Sequence, residues 1–221
     1  GHVSTGPDTG NCFTLPRVVK YDDELQQLIF EPLSEQEQLR AKTLGTLGWT
    51  ELLPGVPMAL DSGWRDVDAI RQAEVSIEIG LPKCPCSLAL NISGLVVYYL
   101  EYVPPSIGVS HVAKVSATCA TGCGPGVHTN ETLQLKPSDT SLSLRVFTDH
   151  WLSEMYWQGG RVTTTLPAQL SMQPIGTTPA LTLTASFVEM RGDQASCTPA
   201  LHRAQAWAID SIWVENGELL A

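Results

Sequence analysis

The stretch from Leu142 to Thr165 constrains the fold more than any other part of this sequence. It contains three runs of strand-forming residues, which are separated by Asp149-His150 and by Gly159-Gly160. Both dipeptides can form tight two-residue turns, so the stretch predicts two consecutive β-hairpins. If Asp149-His150 is the first loop, Arg145 lies directly opposite Glu154 on the neighbouring strand. We therefore expect Arg145 and Glu154 to form a cross-strand ion pair, with Asp149 shaping the turn.

The alternation of side chains in the same stretch predicts a sheet with one buried face. Alternate residues of a strand point to the same side of a sheet, and the apolar residues here follow that spacing. A second strict alternation, from Glu74 to Ile79, predicts another strand with one face in water. The residues of the first stretch that are expected to share the buried face are Leu142, Leu144, Val146, Trp151, Met155, Trp157 and Val162.

The composition extends this pattern to the whole chain. Hydrophobic residues make up 43% of the 221 residues, which is enough for a sizeable core. The 15 prolines and 18 glycines are spread among many short apolar runs, as expected for short strands joined by turns. We count about ten candidate strands on these signals and predict an all-β fold, an antiparallel β-sandwich.

The first 45 residues predict a linker that precedes the sandwich. Phe13 to Phe30 reads as a hairpin, and Ser34-Glu35-Gln36-Glu37 has the spacing of a capping box. We therefore expect a short helix from about Glu35 to Lys42, which ends before Gly45. The predicted division is a linker over residues 1–45 and a β-sandwich domain over residues 46–221.

The charge pattern excludes several classes of partner. The formal net charge is −10, and there is no cluster of Lys and Arg, so nucleic acid and anionic membrane surfaces are not expected as partners. No apolar run approaches the roughly 20 residues that a membrane-spanning helix needs, and we predict no membrane insertion. The five histidines show no pair at metal-ligand spacing, and the sequence gives no reason to expect a metal or a cofactor.

Cysteines and glycosylation sequons together favour the secretory pathway, so that the protein would be secreted, vacuolar or at the cell surface. The sequons place glycans at Asn91 and Asn130. An alternative, a zinc site made by Cys84, Cys86, Cys119 and Cys123, is disfavoured because its gaps fit zinc knuckles poorly. The chain begins with Gly1-His2, which we interpret as a processed product or an excised piece. The disulfide candidates are Cys12, Cys84, Cys86, Cys119, Cys123 and Cys197.

Three segments of the sequence are landmarks when they are taken together and in order. The first is Thr14-Leu15-Pro16-Arg17-Val18, followed by Pro32-Leu33 and Glu37 to Arg40. The second is Leu144 to Phe147 with Asp149, Glu154 and Gly159-Gly160-Arg161, and the third runs from Trp207 through Asp210 to Trp213. Together they resemble glycoside hydrolase family 32, the family of invertases, inulinases, levanases and fructosyltransferases. The first segment resembles the junction between the catalytic propeller and the C-terminal β-sandwich of that family, the second resembles the most recognisable segment of the sandwich, and the third is similar to its final strand.

The resemblance implies that the catalytic residues lie outside this chain. Family members are retaining glycosidases, which use two carboxylates about 5 Å apart. Those carboxylates belong to propeller motifs that this sequence lacks, and Arg65-Asp66-Val67 is only a chance likeness to one of them. We assign no catalytic residue, and we disfavour a catalytic or sugar-binding trio of Arg145, Asp149 and Glu154.

Two functions are therefore expected from the sequence. The first is a non-catalytic sandwich that stabilises the catalytic propeller of a β-fructofuranosidase-type enzyme, contributes to dimerisation, and has a carbohydrate as a further partner. The alternative is a stand-alone lectin-like or protein-interaction subunit without enzymatic activity.

Overall fold

The structure is a computed structural model that describes residues 2–4, 11–53, 55–59, 72–92, 96–105, 111–119, 128–149, 152–167, 182–190, 199–210, 214–215 and 218–219. The strands in this part of the chain are β1 (His2–Ser4), β2 (Asn11–Phe13), β3 (Arg17–Asp22), β4 (Gln27–Pro32), β5 (Arg40–Leu47), β6 (Thr50–Glu51), β7 (Pro57–Ala59), β8 (Gln72–Gly80), β9 (Cys86–Ile92), β10 (Val96–Tyr102), β11 (Val112–Cys119), β12 (His128–Gln134), β13 (Ser141–Asp149), β14 (Leu152–Trp157), β15 (Val162–Pro167), β16 (Thr182–Met190), β17 (Ala200–Ile209), β18 (Val214–Glu215) and β19 (Glu218–Leu219).

Two large antiparallel sheets contain most of these strands. The first sheet has the strand order β12-β11-β10-β9-β16-β7, and the second has the order β15-β14-β13-β8-β17-β5, with β6 also paired to β17. Three two-stranded pairs, β1-β2, β3-β4 and β18-β19, complete the described strands. The predicted all-β fold, an antiparallel β-sandwich preceded by a hairpin-containing linker, is confirmed.

The hydrophobic core includes buried side chains from both sheets. Leu90 and Tyr98 of the first sheet and Leu144 and Trp157 of the second sheet are all at most 1% exposed. A hydrogen bond of 3.1 Å joins the hydroxyl of Tyr98 to that of Ser153, so the two sheets also share a buried polar contact. Burial raises the pKa of Tyr98 above its usual range, and this phenol stays neutral.

The register of the first predicted hairpin is wrong, and so is the ion pair that depended on it. Asp149 pairs with Leu152, so Asp149 belongs to the strand and not to the turn that was expected at Asp149-His150. Arg145 consequently lies opposite Tyr156, and Glu154 lies opposite Phe147. Local turn chemistry favours Asp149-His150, because Asp is a common turn residue and Trp is not, and here it indicates the wrong position.

The set of residues predicted to face the core does not depend on this error. Moving a two-residue turn by one position changes each cross-strand partner by two residues, and side chains two apart point to the same side. Val162 is half-buried and packs against the core, whereas Trp151 lies outside the described residues. The buried members of the predicted face are Leu142, Leu144, Val146, Met155 and Trp157.

The linker helix is shorter than predicted. It is a 3-10 helix over Ser34–Leu39, its N-cap is Leu33, and no side chain caps it. The Ser34 hydroxyl instead donates to the Glu35 carboxylate. From Arg40 the chain enters β5, which pairs with β17. Residues 40–42, which were expected at the end of the helix, therefore belong to a strand of the second sheet. β5 also crosses the predicted domain boundary at residue 45.

Among the described residues, no helix is long and apolar enough to cross a membrane.

Candidate functional site

Glu154 anchors the linker to the outer face of the second sheet. It lies on β14 between Ser153 and Met155, which face the core, and its own side chain is nevertheless 0% exposed. The linker covers it: Arg17 Nη2 donates to the carboxylate at 2.8 Å, and the Leu15 backbone N–H donates at 2.6 Å. The Tyr156 hydroxyl donates at 2.9 Å from the sheet itself. A buried carboxylate needs such partners, so Glu154 fixes the position of the linker.

Arg17 and Tyr156 complete this anchor. The guanidinium carbon lies 5.2 Å from the Tyr156 ring centroid, and Arg17 Nε donates to the Tyr156 hydroxyl at 3.2 Å. Burial alone would lower the pKa of Arg17, but the hydrogen bonds and electrostatic attraction of Glu154 and Tyr156 together outweigh it, and the pKa is raised. Burial, followed by the negative charge of Glu154, raises the pKa of Tyr156. Arg17 therefore stays charged and Tyr156 stays neutral.

A second buried carboxylate, Glu74 on β8, holds the start of β5. Arg40 donates to it twice, from Nη2 at 2.6 Å and from Nε at 2.8 Å, and Arg145 Nε donates at 2.5 Å. The hydrogen bond to Glu74 raises the pKa of Arg40. Glu74 is 0% exposed, so the prediction that this face of β8 lies in water is wrong at this position.

Aromatic rings connect the two carboxylate anchors. Arg145 lies over the Phe147 ring at 4.8 Å, and Phe147 meets Tyr156 edge-on with their centroids 5.8 Å apart. On the other side of Glu74, Arg40 lies over the Trp207 ring at 4.0 Å. The family landmarks Arg145 and Trp207 thus belong to one layer of charges and rings on the outer face of the second sheet.

Gly160 allows the linker hairpin to approach the sandwich closely. Its φ is +107°, and a Cβ at this position would lie 2.2 Å from the Phe30 carbonyl oxygen. Gly159 also has a positive φ of +66°, but a Cβ there would meet nothing within 4 Å. The two glycines lie in the connection between Trp157 and Val162, which pair as predicted. A glycine at position 159 is therefore required only for the backbone conformation of the turn. A glycine at position 160 is also required for the close contact with β4.

Three ion pairs lie at this contact or next to it. Lys136 reaches Asp22 at 2.8 Å and Glu24 at 3.2 Å across the hairpin turn, and it lowers the pKa of Asp22. Arg161 pairs with Asp139 at 2.5 Å; burial would raise the pKa of that carboxyl, but Arg161 holds it below its usual range. The hairpin and the loops of the sandwich therefore form one connected unit.

The opposite side of the linker hairpin presents an apolar face to solvent. Val19 lies opposite Phe30, and Tyr21 lies opposite Leu28 on the paired strands β3 and β4. Their exposed fractions are 56%, 37%, 59% and 52%, respectively. We call these four residues the hairpin face. Contiguous exposed apolar side chains of this kind mark interaction sites more often than isolated ones do.

A cavity of about 170 Å³ lies between the linker and the ends of strands β8, β13 and β17 in the second sheet, and we call it the linker cavity. It brings together the landmark carboxylates Asp149, Glu154 and Asp210 with apolar side chains. Gln72 Nε2 donates to Asp149 at 3.2 Å, and the Asp210 backbone N–H donates to the Leu39 carbonyl at 2.8 Å. The residues that line the cavity are Leu15, Gln36, Leu39, Gln72, Phe147, Thr148, Asp149, Leu152, Glu154, Ile209 and Asp210.

A groove of about 320 Å³ lies on the outer face of the first sheet, and we call it the outer groove. Tyr99 is half-buried there, and the register places it beside Ser116, which in turn lies beside Asn130. Both sequon asparagines, Asn91 and Asn130, therefore lie on strands of the first sheet. The residues that line the groove are Tyr99, Glu101, Lys114, Ser116, Thr118, Thr129 and Asn130.

The predicted cysteine chemistry has a mixed outcome. Cys84 is disulfide-bonded, whereas Cys86 is a buried free thiol, so its role as a disulfide candidate is wrong. Burial raises the pKa of Cys86 to about 11, which opposes the thiolate that zinc would need. No group of three or more His, Cys, Asp or Glu within the described ranges is arranged to hold a metal. Cys12 and Cys119 lie on β2 and β11, and Cys123, Cys197 and Trp213 lie outside the described residues.

Sequence reasoning missed the partners of the two anchors. The sequence marks Arg17 and Arg40 only as parts of a family resemblance. It marks Glu74 only as one residue of an alternating strand. The available signal is clearest on β14, where Glu154 is the single charged residue of the strand. Such residues must be paired when both faces of a sheet are covered.

Comparisons with known proteins identify the fold. No family model matches the sequence, and no curated protein sequence matches it. Fructan 1-exohydrolase IIa from Cichorium intybus superimposes with a TM-score of 0.63 and 18% identity, over 89% of this chain and 40% of that chain. Sucrose-6-phosphate hydrolase from Lactobacillus gasseri gives a TM-score of 0.52 and 17% identity, over 92% and 35%. β-Fructofuranosidase from Schwanniomyces occidentalis gives 0.50 and 13%, over 87% and 39%.

The chain therefore has the β-sandwich fold found within these fructan- and sucrose-hydrolysing enzymes, as the resemblance to glycoside hydrolase family 32 implied. It spans only about 40% of the length of the fructan exohydrolase. The likeness shows the fold alone.

Proposed function

We propose that this chain is the non-catalytic C-terminal β-sandwich part of a β-fructofuranosidase-type glycoside hydrolase or fructosyltransferase that acts on sucrose or fructans. Its partner is the catalytic propeller, which it stabilises. Residues 1–45 provide the exit strand and the linker, and residues 46–221 provide the body of the sandwich. The cysteines and sequons support a secreted or vacuolar glycoprotein, and a contribution to homodimer formation is a further part of the proposal.

The hairpin face is the observation that carries this proposal. The linker hairpin is held on the sandwich by Glu154, Gly160 and Lys136, yet its opposite side leaves four large apolar side chains half-exposed. Covering each of them would contribute about 1 kcal/mol, since full burial of such a side chain is worth about 1.5–3 kcal/mol. A surface of this kind is expected where a further domain packs on a rigid hairpin.

The chemistry of the two buried carboxylates fits a supporting role. A retaining glycosidase needs one free carboxylate as nucleophile and a second as acid and base. Glu154 is held by Arg17, and Glu74 is held by Arg40 and Arg145. Both carboxylates are therefore paired with arginines, so neither is free to act as a nucleophile or as an acid and base.

The experiment that tests the proposal starts from native material. Mass spectrometry should find this chain together with a propeller chain or domain, and the complex should hydrolyse sucrose or inulin. The coding sequence upstream of Gly1 should encode the propeller. If the chain purifies alone as a monomer and no propeller is encoded upstream, the proposal fails.

The outer groove favours a second candidate function, a stand-alone lectin-like subunit. An aromatic ring flanked by hydroxyl, amide and charged side chains has the composition of a surface that binds sugars, and Tyr99 provides that ring. On a glycan array the isolated chain should then bind, and Tyr99→Ala should abolish binding. Trp49→Ala, which removes an aromatic side chain that is 67% exposed elsewhere, should leave it unchanged. Absence of binding by the wild-type chain would eliminate this candidate.

A further inference from the structure

The outer groove contains one of the two glycosylation sequons. Asn130 begins the sequon Asn130-Glu131-Thr132, is exposed, and lines the groove. It lies on β12, which is the last strand of the first sheet in the described part of the chain. Thr132 is also exposed, and alternate residues of a strand point to the same side. The asparagine amide and the hydroxyl that the sequon requires therefore face solvent together.

The same row of the sheet contains an aromatic ring. Across the strands, Asn130 pairs with Ser116, and Ser116 pairs with Tyr99. Neighbouring strands are about 4.8 Å apart, so the backbones of Asn130 and Tyr99 are about 10 Å apart. The residue between them has a small side chain, and all three residues line the groove of about 320 Å³. An asparagine side chain that carries one pyranose ring can therefore reach the aromatic ring.

The chemistry of the groove suits a neutral sugar. The face of an aromatic ring is negative, and the C–H groups on one face of a pyranose are weakly positive, so a sugar can stack on Tyr99. Glu101 and Lys114 are directly paired across their strands and have opposite charges, so these two residues favour neither an anion nor a cation. Ser116 and Thr118 provide hydroxyl groups that can bond to the hydroxyl and N-acetyl groups of the sugar.

We propose that Asn130 carries an N-linked glycan and that the outer groove holds its first N-acetylglucosamine against the ring of Tyr99. The attachment joins C1 of the sugar to Asn130 Nδ2. It breaks the bond between C1 and the pyrophosphate of a lipid-linked oligosaccharide donor, the lipid pyrophosphate leaves, and the amide nitrogen loses one proton. A sugar that is tethered in this way has a high effective concentration at the groove, so it excludes free glycans from Tyr99.

The first arm of the test uses NMR. The 221-residue chain with Ser93→Ala, which removes the other sequon, is secreted from a eukaryotic host, and the glycan is trimmed to one N-acetylglucosamine. The ring protons of the sugar should shift upfield and should show nuclear Overhauser effects to the Tyr99 ring. Both observations should disappear with Tyr99→Leu. They should persist with Tyr21→Leu, the same substitution at a tyrosine of the hairpin face that is 59% exposed.

The second arm uses thermal unfolding. Thr132→Ala prevents the attachment without changing Asn130 and provides the unglycosylated reference. The attached sugar should raise the melting temperature by about 2 °C or more, because it gains a stacking contact with an aromatic ring. With Tyr99→Leu the sugar should change the melting temperature by less than about 1 °C. With Tyr21→Leu the full increase should remain.

The inference is overturned if the host leaves Asn130 unmodified, if the sugar makes no contact with Tyr99, or if the sugar has the same effect on the melting temperature with and without that ring. None of these results would contradict the proposed function. The glycan of the native chain rests on the proposed secretory location, which mass spectrometry of the Asn130 peptide from native material tests separately. A native peptide without the glycan would contradict that location, while the sugar contact measured in the host-produced chain would stand.

Discussion

The ion pair between Arg17 and Glu154 joins two residues that are 137 positions apart in the chain. Its geometry shows how the linker is fixed to the outer face of the second sheet. Glu154 has no exposed surface, and its hydrogen bonds come from Arg17, Leu15 and Tyr156. At this scale the attachment of the linker depends on a few charged groups.

Replacing Arg17 by Met should lower the free energy of unfolding by about 3 kcal/mol, because it leaves a buried carboxylate without its cation. Lys20→Met is the matched control, since Lys20 also pairs with a glutamate but is 56% exposed. It should cost less than about 1 kcal/mol. Urea unfolding of both variants provides the measurement, and equal losses would contradict the role given to Arg17.

Gly160 and Gly159 offer a second matched pair. Gly160→Ala should cost more than about 2 kcal/mol, because its Cβ would lie 2.2 Å from the Phe30 carbonyl in addition to the cost of the positive φ. Gly159→Ala should cost only about 1–2 kcal/mol, the conformational cost alone. Thermal unfolding would show this difference, and a Gly160 variant no worse than the Gly159 variant would show that the hairpin does not pack there.

At the scale of elements, the linker hairpin has two sides with different roles. One side packs on the sandwich, and the other is the hairpin face, which we assign to the catalytic partner. Tyr21→Ser with Leu28→Ser should therefore reduce the amount of catalytic partner that co-purifies at least tenfold. The melting temperature of the chain itself should hardly change, because both side chains are more than half exposed.

The control for the hairpin face is another pair of exposed apolar residues. Trp49→Ser with Leu53→Ser removes side chains that are 67% and 51% exposed, outside the hairpin. This variant should retain the catalytic partner in full. If both variants lose the partner to the same extent, general surface hydrophobicity and not the hairpin face governs the association.

The strands of the second sheet also show which structural features the sequence predicts and which it does not. Alternation predicted which residues of β13 and β14 face the core, because side-chain direction depends only on parity. Alternation cannot place the turn, and the turn signal of Asp149 is misleading because Asp149 pairs with Leu152 within the strand, so the expected partner of Arg145 is wrong. The predicted water-facing side of β8 failed at Glu74, because Arg40 of β5 covers it. Long-range pairing of this kind leaves no local pattern in the sequence.

At the scale of the whole molecule, the two sheets enclose one core that includes buried phenols. Burial raises the pKa of Tyr98 and Tyr156 above the ordinary value of 10.0. A group with a raised folded-state pKa stabilises the protein below the unfolded pKa, and this contribution is lost as the pH rises. The free energy of unfolding should therefore fall as the pH increases above about 10.

Urea unfolding between about pH 8 and 11 would measure this dependence. Tyr98→Phe should make the fall less steep, although it also removes the hydrogen bond to Ser153 and lowers stability at every pH. The slope with pH, and not the absolute stability, is the readout. A variant with the slope of the wild type would show that Tyr98 does not carry the alkaline transition.

The central claim is that this sandwich supports a catalytic propeller and performs no hydrolysis itself. The most direct test separates the two parts of the native complex and measures sucrose and inulin hydrolysis by each part and by the recombined complex. We predict no activity for this chain, and for the propeller an activity that decays faster on heating without the chain than with it. Hydrolysis by this chain alone, or a propeller whose thermal half-life does not depend on the chain, would contradict the account.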